Sequence, residues 1–228
     1  MAEQAVKVKG TQMSTSTTSV QQLSEAIAAA SPDLDERSRH IAVSLYELLV
    51  QGDPVTSSEL ASHSRVPETV VLATLQSWPG VFRDDEGRVV GFWGLAIPKM
   101  DHHFQAQGGK PIHAWCALDP FMIVPVINRA ARVESKDPVT AEAITMTVTP
   151  SGVQDLSPES AVVSFIVPDK PWDHDVIESF CHYVHNFASR ESAERWASKR
   201  EGIVLVPVSD AFEIGRRSVQ LLLSDRRG

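Results

Sequence analysis

The two cysteines of this 228-residue chain lie among residue types that support soft-metal or nucleophilic chemistry. Cys116 directly follows the indole of Trp115 and precedes the carboxylate of Asp119 by three positions. Cys181 directly follows the phenyl ring of Phe180. Thiolates are soft metal ligands and good nucleophiles, and their reactivity depends on the groups around them. The sparse use of cysteine in these two settings indicates that the thiols carry a chemical function.

Residue types alone leave three other interpretations of the cysteines open. Free cysteine is often simply a small buried hydrophobe. Zinc accepts mixed thiolate and imidazole ligands, so Cys116, Cys181, His182 and His185 could form a structural zinc site, although the short C-x2-C spacing is missing. A hydrolase could pair Cys116 with His113 or His185. No glycine-rich oxyanion turn accompanies either cysteine, which disfavours the hydrolase.

The overall composition is that of an ordinary globular protein and narrows the choice of partners. The formal net charge of −8 provides no positive field for a phosphate backbone, so we expect no nucleic-acid partner. No apolar run approaches the roughly 20 residues of a membrane-spanning helix, so we expect no membrane partner. Two cysteines do not make a disulfide scaffold, and a reducing cytoplasmic location is consistent with that.

The first hundred residues predict a leader followed by a small helical domain. Residues 1–20 are rich in Ser and Thr and lack an apolar signal core, which predicts a disordered leader. Residues 21–100 show helical periodicity and then alternation around a turn at 84–87. The order of three helices and a hairpin is typical of a winged helix-turn-helix, so this segment is predicted to be a winged-helix-like domain.

The predicted recognition helix of that domain is poorly suited to DNA. Residues 67–77 contain no Lys or Arg, and Glu68 lies within them. Recognition helices use cationic and amide side chains to contact phosphates and base edges. We therefore interpret the small domain as a structural cover for the rest of the chain.

Residues 101–228 predict an α+β domain of mixed sheet and helices. No βαβ repeat is visible, so the sheet connections are expected to be irregular. Residues 102–110 are interpreted as a polar crossover, with His102 and His103 at the surface. Strands are predicted at 113–117, 143–149, 161–167 and 202–207, with a further strand beginning at Val133. Helices are predicted at 121–129, 191–199 and 208–223.

Both cysteine segments resemble the signatures of one enzyme family, organomercurial lyase, also called alkylmercury lyase. The first segment is Ala-Trp-Cys-Ala-Leu-Asp at 114–119, and the second is Ser-Phe-Cys-x-x-Val-His-x-Phe at 179–187. Shorter similarities occur at 129–133, 147–150, 194–199 and 211–212. The resemblance covers residues from about 110 to 222, and more loosely the winged-helix region from about 35.

This resemblance implies an activity, a fold and a set of site residues. The activity is protonolysis of a carbon–mercury bond to a hydrocarbon and Hg(II). The implied catalytic set is Cys116, Asp119 and Cys181, with both thiolates binding Hg(II) transiently. The implied fold is a winged-helix-like domain that does not read DNA, followed by a mixed sheet-and-helix catalytic domain. The implied partners are the organomercurial substrate and, as acceptors of Hg(II), small thiols and a mercuric reductase. We expect no organic cofactor, because no glycine-rich phosphate loop is present.

Two departures from the family pattern concern additional thiols. Many relatives carry a further cysteine shortly after the Ala-Arg-Val run, where residues 134–137 here have none, and some carry a second cysteine where His182 stands. His113 also replaces a tyrosine of some relatives. We interpret the extra thiols as dispensable.

The chemistry of the bond explains why such a residue set would be needed. Two thiolates on mercury load charge onto the metal and make the carbon more basic, and a neighbouring acid can then protonate it. A dry pocket would raise the pKa of Asp119 from its usual 3.9 or so, and Trp115 and Phe180 are predicted to wall that pocket. Two other functions stay open: a soft-metal (Hg or Cu) binding protein without lyase activity, and a metal-sensing winged-helix regulator.

Overall fold

The computed structural model describes residues 19–224, so most of the predicted leader, residues 1–18, lies outside the described residues. Four helices come first. Ser19 caps the first of them, since its hydroxyl accepts from the Gln22 backbone while the Gln22 side chain accepts from the Ser19 backbone. Thr56 and Glu59 make the same reciprocal pair at the third helix. These helices are α1 (Val20–Ala30), α2 (Glu36–Leu49), α3 (Ser57–Ser64) and α4 (Glu68–Ser77).

A hairpin follows the four helices and completes the predicted winged-helix arrangement. Strands β1 (Val81–Arg83) and β2 (Val89–Phe92) pair antiparallel, with the turn where the sequence places it. The positive φ of Gly87, +77°, explains why a glycine ends that turn. The short strand β3 (Leu95–Ala96) comes next along the chain.

The second half of the chain holds the remaining strands and helices, and the α+β fold class is confirmed. The final helix has the bounds that the sequence predicts. The strands are β4 (His102–Ala106), β5 (Ile112–Ala114), β6 (Ala131–Lys136), β7 (Ala143–Thr149), β8 (Gly152–Ser157), β9 (Val162–Ile166), β10 (Asn186–Phe187) and β11 (Ile203–Pro207). The helices are α5 (Asp119–Ile127), α6 (Val176–Ser179), α7 (Arg190–Ala197) and α8 (Val208–Leu223).

One antiparallel sheet joins the two halves of the chain. Its eight strands run in the order β1-β2-β3-β5-β4-β6-β7-β8, and β3 pairs with β2 on one side and β5 on the other. A second sheet of three antiparallel strands has the order β10-β9-β11. A single hydrophobic cluster includes Leu45 and Phe92 from the first half and Phe104 and Phe121 from the second. The winged-helix elements therefore share both a sheet and a core with the rest of the molecule.

The prediction of a polar crossover at residues 102–110 is wrong. Residues His102–Ala106 form β4, which alternates buried and exposed positions and pairs with both β5 and β6. His102 is buried, and Phe104 and Ala106 lie on the same buried face. The alternation of buried and exposed residues in β4 is hard to recognise in the sequence. His102 and His103 are both polar residue types, although only His102 is buried.

Among residues 19–224, no helix is both long and apolar enough to cross a bilayer.

Candidate active site at two cysteine-bearing turns

The first half of the site is the sharp turn between β5 and α5. Cys116 lies in this turn. Asp119 is the first residue of α5, and Pro120 is the second. Proline is favoured in the first helical turn because its missing N–H would have no partner there. The Asp119 carboxylate folds back, and its Oδ2 accepts a hydrogen bond from the Cys116 backbone N–H at 2.6 Å. The i, i+3 spacing therefore places the carboxylate beside the thiol-bearing residue.

The second half of the site is a single 3-10 turn, Cys181–Tyr183, that follows α6. The Val184 N–H closes it by donating to the Cys181 carbonyl oxygen at 3.0 Å. The hydroxyl of Ser164, which is fully buried on β9, donates to the Tyr183 carbonyl at 2.8 Å and accepts from the His185 N–H at 3.1 Å. Strand β9 thus fixes the position of the turn that carries the second thiol.

A backbone hydrogen bond brings the two turns together. The Ala117 N–H donates to the Val184 carbonyl oxygen at 3.1 Å. As a result, the sulfurs of Cys116 and Cys181 and a carboxylate oxygen of Asp119 all lie within 4.8 Å of one another. All three residues are buried, and two soft sulfurs with one carboxylate suit a soft metal ion better than a hard one.

Burial controls the electrostatics of Asp119. Desolvation raises the pKa of this carboxyl from 3.8 to about 7, although hydrogen bonds from the Cys116 backbone, the Cys116 side chain and the Trp115 backbone lower it in part. A carboxyl with a pKa near neutrality can both accept and deliver a proton under physiological conditions.

The two thiols differ in their surroundings. Burial, the hydrogen bond to Cys181 and the Asp119 charge together raise the pKa of Cys116 well above its usual value. The hydrogen bond from Cys116 lowers the pKa of Cys181, but burial and the Asp119 charge raise it by more. Their mutual hydrogen bond therefore favours the thiolate on Cys181 over the thiolate on Cys116.

An almost wholly apolar pocket opens onto this cluster. Trp115 and Phe180, the two residues predicted as walls, both line it. Cys181 and Asp119 also reach its surface, whereas Cys116, only 1% exposed, lies behind them. A ligand that enters the pocket therefore meets Cys181 before Cys116.

The first half of the chain supplies pocket residues that the sequence interpretation missed. Tyr46 on α2 and the Trp93–Gly94 turn between β2 and β3 line the pocket, as does Trp172 before α6. Burial raises the pKa of the Tyr46 phenol, and the Asp119 charge raises it further. The Tyr46 side chain on α2 therefore lies in the electrostatic field of that carboxylate. Tyr46, Trp93 and Gly94 are distant in the sequence from both cysteines, and the shared sheet and core bring them to the site.

The histidines do not join the two cysteines in a metal site within the described residues. Among residues 19–224, Cys116, Asp119 and Cys181 are the one group of three or more potential ligands close enough to share a metal ion, and neither His182 nor His185 belongs to it. A ring nitrogen of His185 lies 2.8 Å from the His182 carbonyl oxygen. His113 packs against the ring of His103, with ring centroids 4.7 Å apart.

Comparison with protein families gives two matches along the chain. The family model described as alkylmercury lyase matches residues 95–220, more than half of the chain. The model described as the helix-turn-helix domain of alkylmercury lyase matches residues 19–93. Both cysteine-bearing turns lie within the first of these ranges.

Individual relatives give the same result. An alkylmercury lyase of Staphylococcus epidermidis is 37% identical over 172 residues, which cover 75% of this chain and 78% of that protein. An alkylmercury lyase of Pseudomonas putida is 37% identical over 183 residues, which cover 80% of this chain and 84% of that protein. A solved structure, the mercury-bound form of MerB2, shares the fold with a TM-score of 0.70 at 22% identity, covering 90% of this chain and 99% of that one.

Proposed function

This chain belongs to the alkylmercury lyase family, and we propose that it cleaves the carbon–mercury bond of organomercurials by protonolysis through Cys116, Asp119 and Cys181. The observation that carries the proposal is the meeting of two free thiols and one carboxyl within 4.8 Å at the end of an apolar pocket. Soft sulfur ligands bind mercury, and the carboxyl supplies the proton.

The reaction begins at Cys181, which faces the pocket. An organomercurial enters as its complex with a small thiol, and Cys181 replaces that thiol on mercury. A sulfur–mercury bond forms, the earlier sulfur–mercury bond breaks, and the Cys181 proton leaves with the displaced thiol. The apolar walls, among them Trp115 and Phe180, hold the organic group and exclude water.

Cys116 and Asp119 complete the reaction. The Cys116 thiol gives its proton to the Asp119 carboxylate and bonds to mercury as the second thiolate. Charge from two thiolates makes the mercury-bound carbon more basic, and Asp119 passes the proton to it. The carbon–mercury bond breaks, the hydrocarbon leaves, and Hg(II) stays between two sulfurs. Overall, one organomercurial–thiol complex and two protein thiols give one hydrocarbon, one free thiol and one Hg(II) dithiolate.

Release of Hg(II) requires acceptor ligands that are as soft as the two cysteine thiolates. Two small thiols can replace the protein thiolates by ligand exchange, and a mercuric reductase that presents its own thiols can serve the same purpose. Mercury is therefore substrate and product, and the mechanism uses no resident cofactor. Both cysteines must be reduced to act, which fits a reducing cytoplasm.

A single-turnover assay with phenylmercury tests the proposal. Excess wild-type protein should bind all the phenylmercury and release benzene in equal amount. Asp119→Asn, which keeps the shape but not the acid, should bind phenylmercury and release benzene at least about a hundredfold more slowly. The control is Asp53→Asn, which removes an exposed carboxylate that is paired with Lys110 at 2.6 Å and does not line the pocket, and it should behave as wild type.

Each contrary outcome has a definite meaning. Tight phenylmercury binding by the wild type without benzene would identify a soft-metal binding protein and overturn the lyase. Benzene release by Asp119→Asn at the wild-type rate would remove Asp119 from the proton transfer.

A further inference from the structure

We propose that Gly94 is a positioning residue for Asp119: by lacking a side chain it leaves the space in which the catalytic carboxyl lies. Gly94 belongs to the Trp93–Gly94 turn at the edge of the winged-helix elements. The inference rests on the proposed function, since it gives the first half of the chain a part in proton delivery, beyond covering the site.

The carboxyl lies where a side chain of residue 94 would be. A Cβ atom built on Gly94 would lie 2.5 Å from Asp119 Oδ1, 2.6 Å from Cγ and 2.8 Å from Cβ. Real Cβ atoms essentially never approach other heavy atoms this closely, so any other residue at 94 would have to displace the carboxyl or the turn. The backbone φ of +98° also disfavours any residue with a side chain.

The turn is anchored, so the carboxyl is the part that must move. The Tyr46 hydroxyl donates to the Trp93 carbonyl oxygen at 2.7 Å. The Gly94 carbonyl oxygen accepts from the Trp115 backbone N–H at 2.9 Å, and the Leu95 carbonyl accepts from the Trp115 indole N–H at 3.0 Å. These three bonds tie the turn to α2 and to the residue before Cys116.

Displacement of the carboxyl would separate it from its partner. Asp119 Oδ2 accepts from the Cys116 N–H at 2.6 Å, while Oδ1 is the atom that faces Gly94. A methyl group at 94 would push the whole Asp119 side chain away, Cβ included, and so move Oδ2 off the Cys116 N–H. Proton transfer depends steeply on the distance and alignment of the acid, so a shift of about 1 Å can cost on the order of a hundredfold in rate.

Other glycines of the chain provide a matched control. Gly87, Gly108 and Gly202 also have positive φ, but a Cβ on any of them would meet no atom within 4 Å. They need glycine for the backbone conformation alone. Gly87 is the best match, because it too lies in a turn of the winged-helix elements and its φ is +77°.

The test compares Gly94→Ala with Gly87→Ala in the single-turnover phenylmercury assay. Both variants carry the backbone penalty of a side chain at positive φ, and only Gly94→Ala crowds the carboxyl. We expect both to bind one phenylmercury per protein, because both keep Cys181. Since Gly94 lines the pocket, the capture rate of Gly94→Ala is measured separately from benzene release. We expect Gly94→Ala to release benzene roughly tenfold to a hundredfold more slowly and Gly87→Ala to release it at the wild-type rate. Equal release by the two variants would overturn the inference.

A second comparison separates positioning from general damage. If Gly94 acts through Asp119, adding Gly94→Ala to Asp119→Ala should slow the residual benzene release no further, and should lower the urea midpoint less than it does in the wild type. If the effects of the two substitutions on the benzene-release rate and on the urea midpoint simply add, the inference is contradicted. If Gly94→Ala fails to fold alone, the Asp119→Gly background decides, because it removes all three Asp119 side-chain atoms that a Cβ at 94 would meet. Recovery of folding in that background supports the inference, and failure to fold there overturns it.

Failure of this inference is distinguishable from failure of the proposed function. If the wild type releases no benzene, the lyase itself is wrong. If the wild type releases benzene and Gly94→Ala matches Gly87→Ala, the lyase stands and only the role of Gly94 falls.

Discussion

The Ala117 backbone N–H donates to the Val184 carbonyl oxygen at 3.1 Å, and this bond joins the two turns that carry the cysteines. Each residue lies close to one thiol in the sequence, Ala117 directly after Cys116 and Val184 three positions after Cys181. The bond is between main-chain atoms, so side-chain substitutions other than proline at 117 leave its donor and acceptor in place. The meeting of the sulfurs is therefore a property of the backbone fold.

Ser164 should be important for catalysis although it is not part of the thiol–carboxyl cluster. Its hydroxyl bonds both to Tyr183 and to His185 and so holds the Cys181 turn. We expect Ser164→Ala to lower stability by about 1–3 kcal/mol and to slow benzene release. The control is Ser218→Ala, a fully buried serine on α8 that donates to the Ile214 carbonyl and should lower stability with no change in the single-turnover rate. Equal rates for the two variants would show that the Cys181 turn holds its position without Ser164.

The two cysteines should differ in when they act. We expect Cys116→Ser to capture phenylmercury rapidly on Cys181 and to release almost no benzene, because the second thiolate is missing. Cys181→Ser should capture phenylmercury at least about tenfold more slowly, since the remaining thiol is only 1% exposed. Stopped-flow measurement of the indole fluorescence of the pocket tryptophans follows capture. The reverse order of capture rates would assign the first step to Cys116.

The raised pKa of Asp119 should make stability depend on pH in a definite direction. The folded carboxyl has a pKa of about 7, against about 3.9 in the unfolded chain, so the folded state holds a proton that the unfolded state has lost. This contribution to stability is fully present below about pH 4 and is lost as the pH rises through about 7.

Comparison with Asp119→Asn isolates the effect. Between pH 5 and pH 8 the wild type should lose roughly 2–3 kcal/mol relative to Asp119→Asn, measured by urea unfolding at both pH values. A difference that stays constant with pH would mean that burial does not raise this pKa.

Much of the fold follows from local patterns in the sequence. Helix α8 has an amphipathic period over sixteen residues, and the hairpin of β1 and β2 has a turn with Gly87 at its end, so both are predicted where they occur. Strand β4 is missed because its buried face begins with His102. Strand β8 is missed because its residues are exposed or half-buried and show no alternation.

Only some residues of the candidate site could be predicted from the sequence. The family resemblance singles out Cys116, Asp119 and Cys181, and the structure brings these three together. The contributions of Tyr46 and Gly94 are not visible in the sequence, because they depend on β3 pairing with β5 across the two halves of the chain. A tyrosine on an amphipathic helix and a glycine after a hairpin strand are common features with no chemical signature.

The winged-helix elements should not bind DNA. Helix α4 (Glu68–Ser77) carries no Lys or Arg, its first turn contains Glu68, and the chain as a whole has a formal charge of −8. A gel shift with promoter DNA should show no complex at 50 mM salt or above, with or without Hg(II). A salt-sensitive shift that responds to Hg(II) would instead indicate a metal-sensing regulator.

The source of the hydrogen in the released hydrocarbon is the most direct test of protonolysis. The thiol and carboxyl protons exchange with solvent before reaction, so a single turnover of phenylmercury in D2O should give benzene carrying one deuterium, detected by mass spectrometry. We expect monodeuterated benzene in an amount equal to the phenylmercury bound. Benzene without deuterium, or bound phenylmercury that yields no benzene, would contradict it.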